Sequence, residues 1–551
     1  MTSVSTRVAD AISAHVTDVF GVMGNGNAHF INALYGDSVG PISYTAVRHE
    51  TAAVAAADAY YRASGRVAAA TVTYGAGFTN MVTSLAEAVR AQIPLLVVAG
   101  EAPTSGLRAW DIDQVALAAS VGAPTFTVAA DDAGRTVLDA LEHALNNRTA
   151  VILAIPYDLA AADAADETLP TELSLTAPVA ADSTATDAAA SVLAGAERPF
   201  ILAGRGAWDA GAADALGALA DALGAVTATS ALGRGIFPKQ QFDLGVTGGF
   251  GQDNAMALVK TADVVLVVGA SMNQFTMSFG GLIAPGTTLI RIDDVASAAH
   301  PAVISLLVGD ARLTVEALTS SLAASGATAS GWRESLPGLT EGAFRTRDAG
   351  EANLPDGLLD PRRVAARLAE LLPDDRLVVS DGGHFIGWAN TYWPVAAPNR
   401  MMMVGTAFQS IGLGFPSAVG ATVALPEPLL VVTTGDGGGL MALADLDSVI
   451  RTTRRGVIVV WNDAAYGAEV HMYGLMGLDT RPMLIEQADF AALSRALGGR
   501  GDVIDTLDDL ASFEQWLADG ADGVYLLDCR ISSSIMAPYQ KEIYAFATGQ
   551  H

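Results

Sequence analysis

The run Leu429–Thr434 has the apolar character of a buried strand and leads directly into Gly435-Asp436-Gly437-Gly438-Gly439, after which a helical pattern, Leu440–Thr452, begins. A strand, a glycine turn and a helix start make an anion site. Backbone N–H groups face the ligand there, and glycines let a diphosphate approach closely. Asp436 sharpens this reading. A carboxylate at a phosphate-binding turn repels the ligand unless a cation stands between them. Magnesium, held by one or two carboxylates and by phosphate oxygens, is the usual solution. A second ligand then belongs at the end of the next strand. That strand is Val457–Trp461, reached after a gap of 24 residues, 438–461, and Asn462-Asp463 closes it. Ligands of open α/β sheets bind at this carboxyl edge.

Far upstream, Arg48-His49-Glu50 precedes an Ala-rich helical stretch, Thr51–Arg62. Taken alone, Glu50 is a first-turn acid favoured by the helix dipole. The elements that must position these groups recur along the whole chain. Short apolar runs alternate with Ala-rich helical stretches: Val67–Thr73, Pro94–Ala99, Ala150–Ile155, Phe200–Ala203, Val264–Val268, Thr288–Ile292 and Leu377–Val379 are examples. Such runs read as buried parallel strands, and their alternation with helices implies βαβ units in doubly wound sheets. Residues 164–186 and 322–358, rich in small, polar and mixed-charge residues, read as linkers. The expectation is an α/β protein of three doubly wound parallel-sheet domains, 1–165, 186–322 and 358–545.

The chain has 551 residues and a net charge of −28, from 59 acidic and 31 basic side chains. Such a surface repels nucleic acid and anionic membrane. A small anionic substrate needs a local positive device. Cys529 is the single cysteine, so no intrachain disulfide forms, which fits a reducing cytoplasm. The N-terminus, Met1 to Asp18, lacks the apolar core of a signal peptide, and no apolar run reaches about 18 residues, the length of a membrane span.

With both motifs in place, the sequence resembles the thiamine-diphosphate-dependent decarboxylase and carboligase superfamily. The cofactor signature of that family is Gly-Asp-Gly, a gap of this length, then Asn-Asn; here it stands as Gly435-Asp436-Gly437 and Asn462-Asp463. The resemblance implies Asp436 and Asp463 as magnesium ligands by side chain and Ala465 by its carbonyl, with Gly435, Gly437 and Gly438 at the diphosphate. Asp463 departs from the commoner Asn and remains an oxygen ligand. Arg-His-Glu before Ala-Ala marks Glu50 as the carboxylate that exchanges a proton with the cofactor's aminopyrimidine. Val19–Gly24, Gly75–Asn80 and Ile93-Pro94-Leu95 match further first-block segments. Gly405–Gly414 resembles the pyrimidine-binding stretch, with the Gln409 carbonyl on the amino group and Ile411 as the apolar wedge. Ile201–Gly206, Leu232–Pro238 and Val267–Gly269 are markers of the central domain, which holds FAD in some members and is empty in others, so FAD is left open. The family also implies a homodimer or homotetramer in which the Glu50 block of one subunit faces the diphosphate block of another.

The same resemblance bears on the reaction. Gln114, within Ile112–Ala116, matches a pocket-facing glutamine of benzaldehyde-lyase-like members, while Gly26 stands where that enzyme has a histidine. Asn25 occupies a pocket position. Glu469, six residues after Asp463, matches a glutamate of 2-oxo acid decarboxylases. His471 and Met472 follow it. Tyr466 and His384 fall beside the cofactor. The His-His pair of pyruvate decarboxylases is missing from Thr71 to Gly77, and Ser271-Met272-Asn273-Gln274 lacks the oxo-acid-binding Arg of acetohydroxyacid synthases. The implied activity is cleavage or formation of a C–C bond on a 2-oxo acid, aldehyde or ketone. This means decarboxylation and acyloin-type carboligation in the manner of acetolactate synthase. An acyloin or diketone lyase or hydrolase, and a non-catalytic family member, are the alternatives. A nicotinamide or flavin oxidoreductase has no need of Asp436 together with Asp463.

Overall fold

The computed structural model describes residues 2–37, 39–296, 301–351 and 354–549. Three six-stranded sheets follow one another along the chain. The first contains β1 (Asp18–Gly21), β2 (Ser43–Ala46), β3 (Ala69–Val72), β4 (Leu95–Glu101), β5 (Thr125–Thr127) and β6 (Ala150–Pro156). The second contains β7 (Pro199–Ala203), β8 (Val226–Thr229), β9 (Asp243–Val246), β10 (Val264–Val268), β11 (Thr288–Asp293) and β12 (Ser305–Val308). The third contains β13 (Arg376–Ser380), β14 (Met401–Met403), β15 (Leu429–Gly435), β16 (Arg455–Asn462), β17 (Arg500–Ile504) and β18 (Gly523–Arg530). Every strand pair within the sheets is parallel. The expected α/β class with three doubly wound parallel sheets is therefore what the chain forms.

Strand order explains where ligands belong. The first sheet runs β2-β1-β3-β4-β6-β5, and the third, β14-β13-β15-β16-β18-β17, repeats that order. In both, the winding direction reverses beside the first strand, between β1 and β3 or between β13 and β15. A crevice opens at such a switch point, at the carboxyl ends of the strands. The middle sheet runs β12-β11-β10-β7-β8-β9, with its reversal between β10 and β7. Its glycine turns pack on each other there: the Gly206 N–H donates to the Gly269 carbonyl at 2.9 Å.

The first and third sheets share one hydrophobic core. The helix Glu50–Ser64 and the helix Gly414–Ala424 form its centre. Ala52, Ala53, Ala55, Ala56, Ala57 and Ala59 are all buried, so the helix is enclosed on every side, and alanine is what lets its neighbours come close. At the crossing the backbones touch: a methyl group on Gly420 would lie 1.8 Å from the Ala56 carbonyl oxygen. This contact fixes the Glu50 helix against the third sheet. No helix among the described residues is long and apolar enough to cross a membrane.

Candidate active site

Asp436 and Asp463 follow β15 and β16, which are hydrogen-bonded neighbours with Gly435 opposite Trp461. Register thus brings two residues 27 positions apart to one sheet edge. Asp436 is 2 % exposed. Its Oδ1 accepts from its neighbour, the Gly437 N–H, at 2.9 Å, and its Oδ2 has no hydrogen-bond partner. Burial pushes the Asp436 carboxyl up to about 6, partly opposed by the amides of Gly437, Ala464 and Ala465. Burial pushes Asp463 up to about 7, and the charge of Asp436 pushes the same way. A buried and a half-buried carboxylate, both raised by desolvation and the second also by the charge of the first, with an orphaned oxygen at the strand ends, are the electrostatic counterpart of a divalent cation site. Asp463 is aimed by a strained turn: Ala464 has φ 54, the left-handed region that L-residues avoid. The Ile485 N–H holds its carbonyl at 2.8 Å. Among the described residues no cluster of three or more His, Cys, Asp and Glu side chains forms a protein-only metal cage.

The glycines of the turn are set by their neighbours. A methyl group on Gly437 would stand 2.7 Å from the Tyr466 ring, and one on Gly438 2.8 Å from Asp381 Oδ2. Tyr466 is therefore packed against the Asp436 turn, and its N–H is fixed by the Met483 carbonyl at 2.8 Å. His384 is 6 % exposed. Its Nε2 accepts from the Ala537 N–H at 2.9 Å, and its ring lies 4.5 Å from that of His471. Burial, with His471 beside it, pushes His384 down to about 3. It is a neutral imidazole. Its Nδ1 side faces Gly467, where an added methyl would meet Asp463 Oδ2 at 2.7 Å and His384 Nδ1 at 3.4 Å. Glu469 ends a short helical turn, Gly467–Glu469, that runs into a π-helical turn, Val470–Gly474. Glu469 is exposed in the single chain, and His471 is buried. π-turns of this kind are frequent at functional sites.

Gly405–Gly412 forms a loop over the switch point. Gly405 has φ 79, and a methyl there would lie 2.2 Å from the Ser410 carbonyl oxygen. Gln409 has φ 62. The Ser410 N–H closes the turn onto the Gly405 carbonyl at 2.9 Å. Ile411 is half-buried beside Gly382. Asp381, which follows β13, braces the far end. Its carboxylate accepts from Gly412 N–H at 3.1 Å, Leu413 N–H at 3.2 Å and Thr434 Oγ1 at 3.1 Å. The sequence reading assigned Asp381 no role. The signal was present, because Asp381 follows Leu377–Val379 as Asp436 follows Leu429–Thr434.

Glu50 begins its helix, capped by His49, whose Nδ1 accepts from the Thr51 N–H at 3.2 Å. Its Oε2 accepts from Asn80 Nδ2 at 3.0 Å, and its Oε1 lies 3.1 Å from a methyl placed on Gly77. The Gly75–Asn80 segment and the Arg48-His49-Glu50 motif thus meet as one unit. Among the described residues, Glu50 makes no hydrogen bond to the third sheet of its own chain. Asn25 is exposed, and its Nδ2 donates to the Tyr74 hydroxyl at 2.7 Å. The Arg108 guanidinium lies 4.1 Å over the Tyr74 ring and 4.7 Å over that of Tyr157. Gln114, assigned to the pocket by resemblance, lies behind the Gly75 turn. It is 3 % exposed. Its Oε1 accepts from Gly75 N–H at 2.7 Å, and its Nε2 donates to the Gly100 carbonyl at 2.9 Å. It braces the Gly75 turn.

Comparison with known proteins agrees with this geometry. The chain matches "Thiamine pyrophosphate enzyme, N-terminal TPP binding domain" over residues 2–119, the central domain of the same family over 186–318, and its C-terminal TPP binding domain over 381–529. It is 33 % identical over 473 residues to a probable acetolactate synthase of Mycobacterium bovis, covering 83 % of each chain. It is 29 % identical over 497 residues to a probable 2-ketoarginine decarboxylase of Pseudomonas aeruginosa, covering 88 % of this chain and 86 % of that one. Its fold is similar to that of a thiamine diphosphate-dependent 4-hydroxybenzoylformate decarboxylase of Rhodococcus jostii, with TM-score 0.79 and 23 % identity over 96 % of this chain and 99 % of the other. The chain belongs to the thiamine pyrophosphate enzyme family.

Proposed function

We propose that the protein is a magnesium- and thiamine-diphosphate-dependent enzyme that cleaves or forms a C–C bond beside the carbonyl of a 2-oxo acid or a related aldehyde or ketone. Decarboxylation and acyloin-type carboligation of the acetolactate synthase kind are the favoured reactions. The observation that carries this is the Asp436–Asp463 pair with its orphaned oxygen, at the carboxyl ends of β15 and β16, β15 being one of the two strands between which the winding reverses. The relatives that decarboxylate or condense 2-oxo acids support it.

In this reading Asp436, Asp463 and the Ala465 carbonyl hold magnesium, and Gly435, Gly437 and Gly438 leave room for the diphosphate. Tyr466 and His384 wall the same turn. A neutral His384 is a hydrogen-bonding group there and adds no charge. Gly405 shapes the loop whose Gln409 carbonyl and Ile411 side chain would hold the aminopyrimidine end of the cofactor. When bound, thiamine diphosphate supplies a carbon nucleophile and an electron sink. Glu50 holds and returns the proton that the aminopyrimidine exchanges, and Asn80 keeps its carboxylate aimed. Gln114 fixes the Gly75 turn behind them. Asn25 and Glu469, both exposed in the single chain, face the substrate.

The division into 1–165, 186–322 and 358–545 belongs to this reading, as does a homodimer or homotetramer with shared sites. Exposed apolar side chains near the two half-sites support the assembly: Leu107, Trp110, Met441, Tyr473, Leu475 and Leu478 are each at least 49 % exposed in the single chain. A panel of 2-oxo acids, with and without aldehyde acceptors, tests the function by CO2 release and acyloin formation in the presence of thiamine diphosphate and magnesium. Turnover of at least one oxo acid is expected. Inertness toward every oxo acid, acyloin and diketone would contradict an enzymatic role.

A further inference from the structure

The end of the Glu50 helix remote from Glu50 carries an ion cluster outside the proposed catalytic groups. Arg62 is 4 % exposed. Its Nε and Nη2 bind Asp58 one turn earlier, and Nη2 also donates to Glu87 Oε1 at 3.2 Å. Glu87 is 2 % exposed, on the helix Ala76–Arg90. Buried charges are expensive, and one cation facing two acids is not a favourable way to fill a core. Burial raises the Glu87 carboxyl while Arg62 lowers it.

Both ends of the cluster reach into the third sheet. Arg62 Nη1 donates to the Met403 carbonyl at 3.3 Å. The Phe408 N–H donates to Glu87 Oε2 at 2.7 Å. Met403 and Phe408 bracket Gly405, and Phe408 immediately precedes Gln409. The left-handed backbone of Gln409, φ 62, is one that L-residues avoid, so it needs bonds that hold it. Its own Nε2 contributes one, to the Thr406 carbonyl at 3.0 Å. The Glu87 carboxylate contributes the bond on the adjoining residue, and a hydrogen bond to a carboxylate is the stronger kind. The helix that carries Glu87 also carries Asn80, two turns earlier, on the Glu50 carboxylate.

We propose that Glu87 is a positioning residue for the cofactor. By clamping the Phe408 amide it fixes the Gln409 carbonyl and Ile411 at the height the aminopyrimidine requires. The proposal deepens the reading of Gly405–Gly414 as the pyrimidine-binding loop and rests on it. Asp58 serves as the internal control. It shares the cluster through Arg62, and among the described residues its side chain makes no hydrogen bond to the loop.

The test compares the full-length protein with Glu87→Ala, Glu87→Gln and Asp58→Asn variants. Three quantities are read: hydrogen exchange of the 404–410 amides without cofactor, thiamine diphosphate affinity from tryptophan fluorescence with magnesium present, and thermal midpoint. Glu87→Ala is expected to speed exchange at Phe408 and to weaken cofactor binding about tenfold, the size of a lost hydrogen bond to a charged group. The near-isosteric Glu87→Gln, with one acceptor oxygen left, falls between it and the wild type. Asp58→Asn lowers the midpoint without moving the affinity. Unchanged affinity and exchange in Glu87→Ala overturn the proposal. So does an equal loss of affinity in Asp58→Asn at an equal midpoint, since Glu87 is then only part of the core. A wild type that binds no thiamine diphosphate overturns the underlying reading instead, and the exchange data still report whether the clamp exists.

Discussion

Two aspartates and one glutamate carry the chemistry in the proposed enzyme, and their legibility differed. Asp436 and Asp463 were readable because each follows a buried strand by a fixed step, and parallel register does the rest. Glu50 was readable only by resemblance. Its partner Asn80, 30 positions on, lay inside a quoted segment, but a hydrogen bond between two helix starts is set by packing and leaves no local pattern. Gln114 was a pocket candidate by resemblance alone; the bonds at both ends of its amide, to Gly75 and Gly100, are set by packing and leave no local pattern. At this scale Asp436→Ala should abolish magnesium-dependent cofactor binding, by more than about 100-fold, whereas Asp463→Asn keeps an oxygen ligand and stays within about tenfold. Calorimetric titration with thiamine diphosphate and magnesium checks both. Chelation of the metal should likewise release the cofactor on gel filtration. Equal losses in the two variants would contradict the ligand assignment.

At the level of elements, the strands were legible because parallel strands buried on both faces are continuous apolar runs. The order in which they pair was not, since a strand's neighbours depend on which way each helix winds. The Ala-rich run Thr51–Arg62 was legible as a helical stretch. The structure adds that its alanines are buried on all sides against a helix whose Gly420 touches the Ala56 carbonyl. Gly420→Val should therefore force the two helices apart and lower stability by about 2–3 kcal/mol. Urea unfolding measures this, and a change below about 0.5 kcal/mol would contradict the contact. A second expectation concerns β9. Burial pushes Asp243 up to about 7, above an unfolded value of about 3.9. The folded state binds its proton more tightly, so the stability Asp243 contributes is present below pH about 4 and lost as pH rises to about 7. Asparagine removes that loss. Asp243→Asn should stabilise the protein more at pH 8 than at pH 5, by about 2–3 kcal/mol. An equal effect at both pH values would show that Asp243 titrates normally.

For the whole molecule, the repeated strand order of the first and third sheets places two equivalent crevices in one chain, one carrying Glu50 and the other Asp436 with Asp463. Within a single chain the Glu50 helix packs its flank on the third sheet's helix Gly414–Ala424, and among the described residues its first-turn carboxylate makes no hydrogen bond there. Assembly of two copies is what joins the halves in the proposed enzyme. Neither composition nor motif spacing reveals this, because spacing along one chain does not say whether two motifs meet within it or across an interface. The charge of −28 spoke only to what the surface repels. The most direct measurement uses two defective chains, Glu50→Gln and Asp436→Ala, purified separately and co-expressed. It follows exchange of the C2 proton of bound thiamine diphosphate, which needs no substrate. Each variant alone should show slow exchange or no bound cofactor. The co-expressed pair should regain fast exchange at about a quarter of the wild-type sites, because half of random dimers are mixed and each mixed dimer holds one intact site. Fast exchange in Glu50→Gln alone, or none in the mixture, would contradict a shared site activated by Glu50.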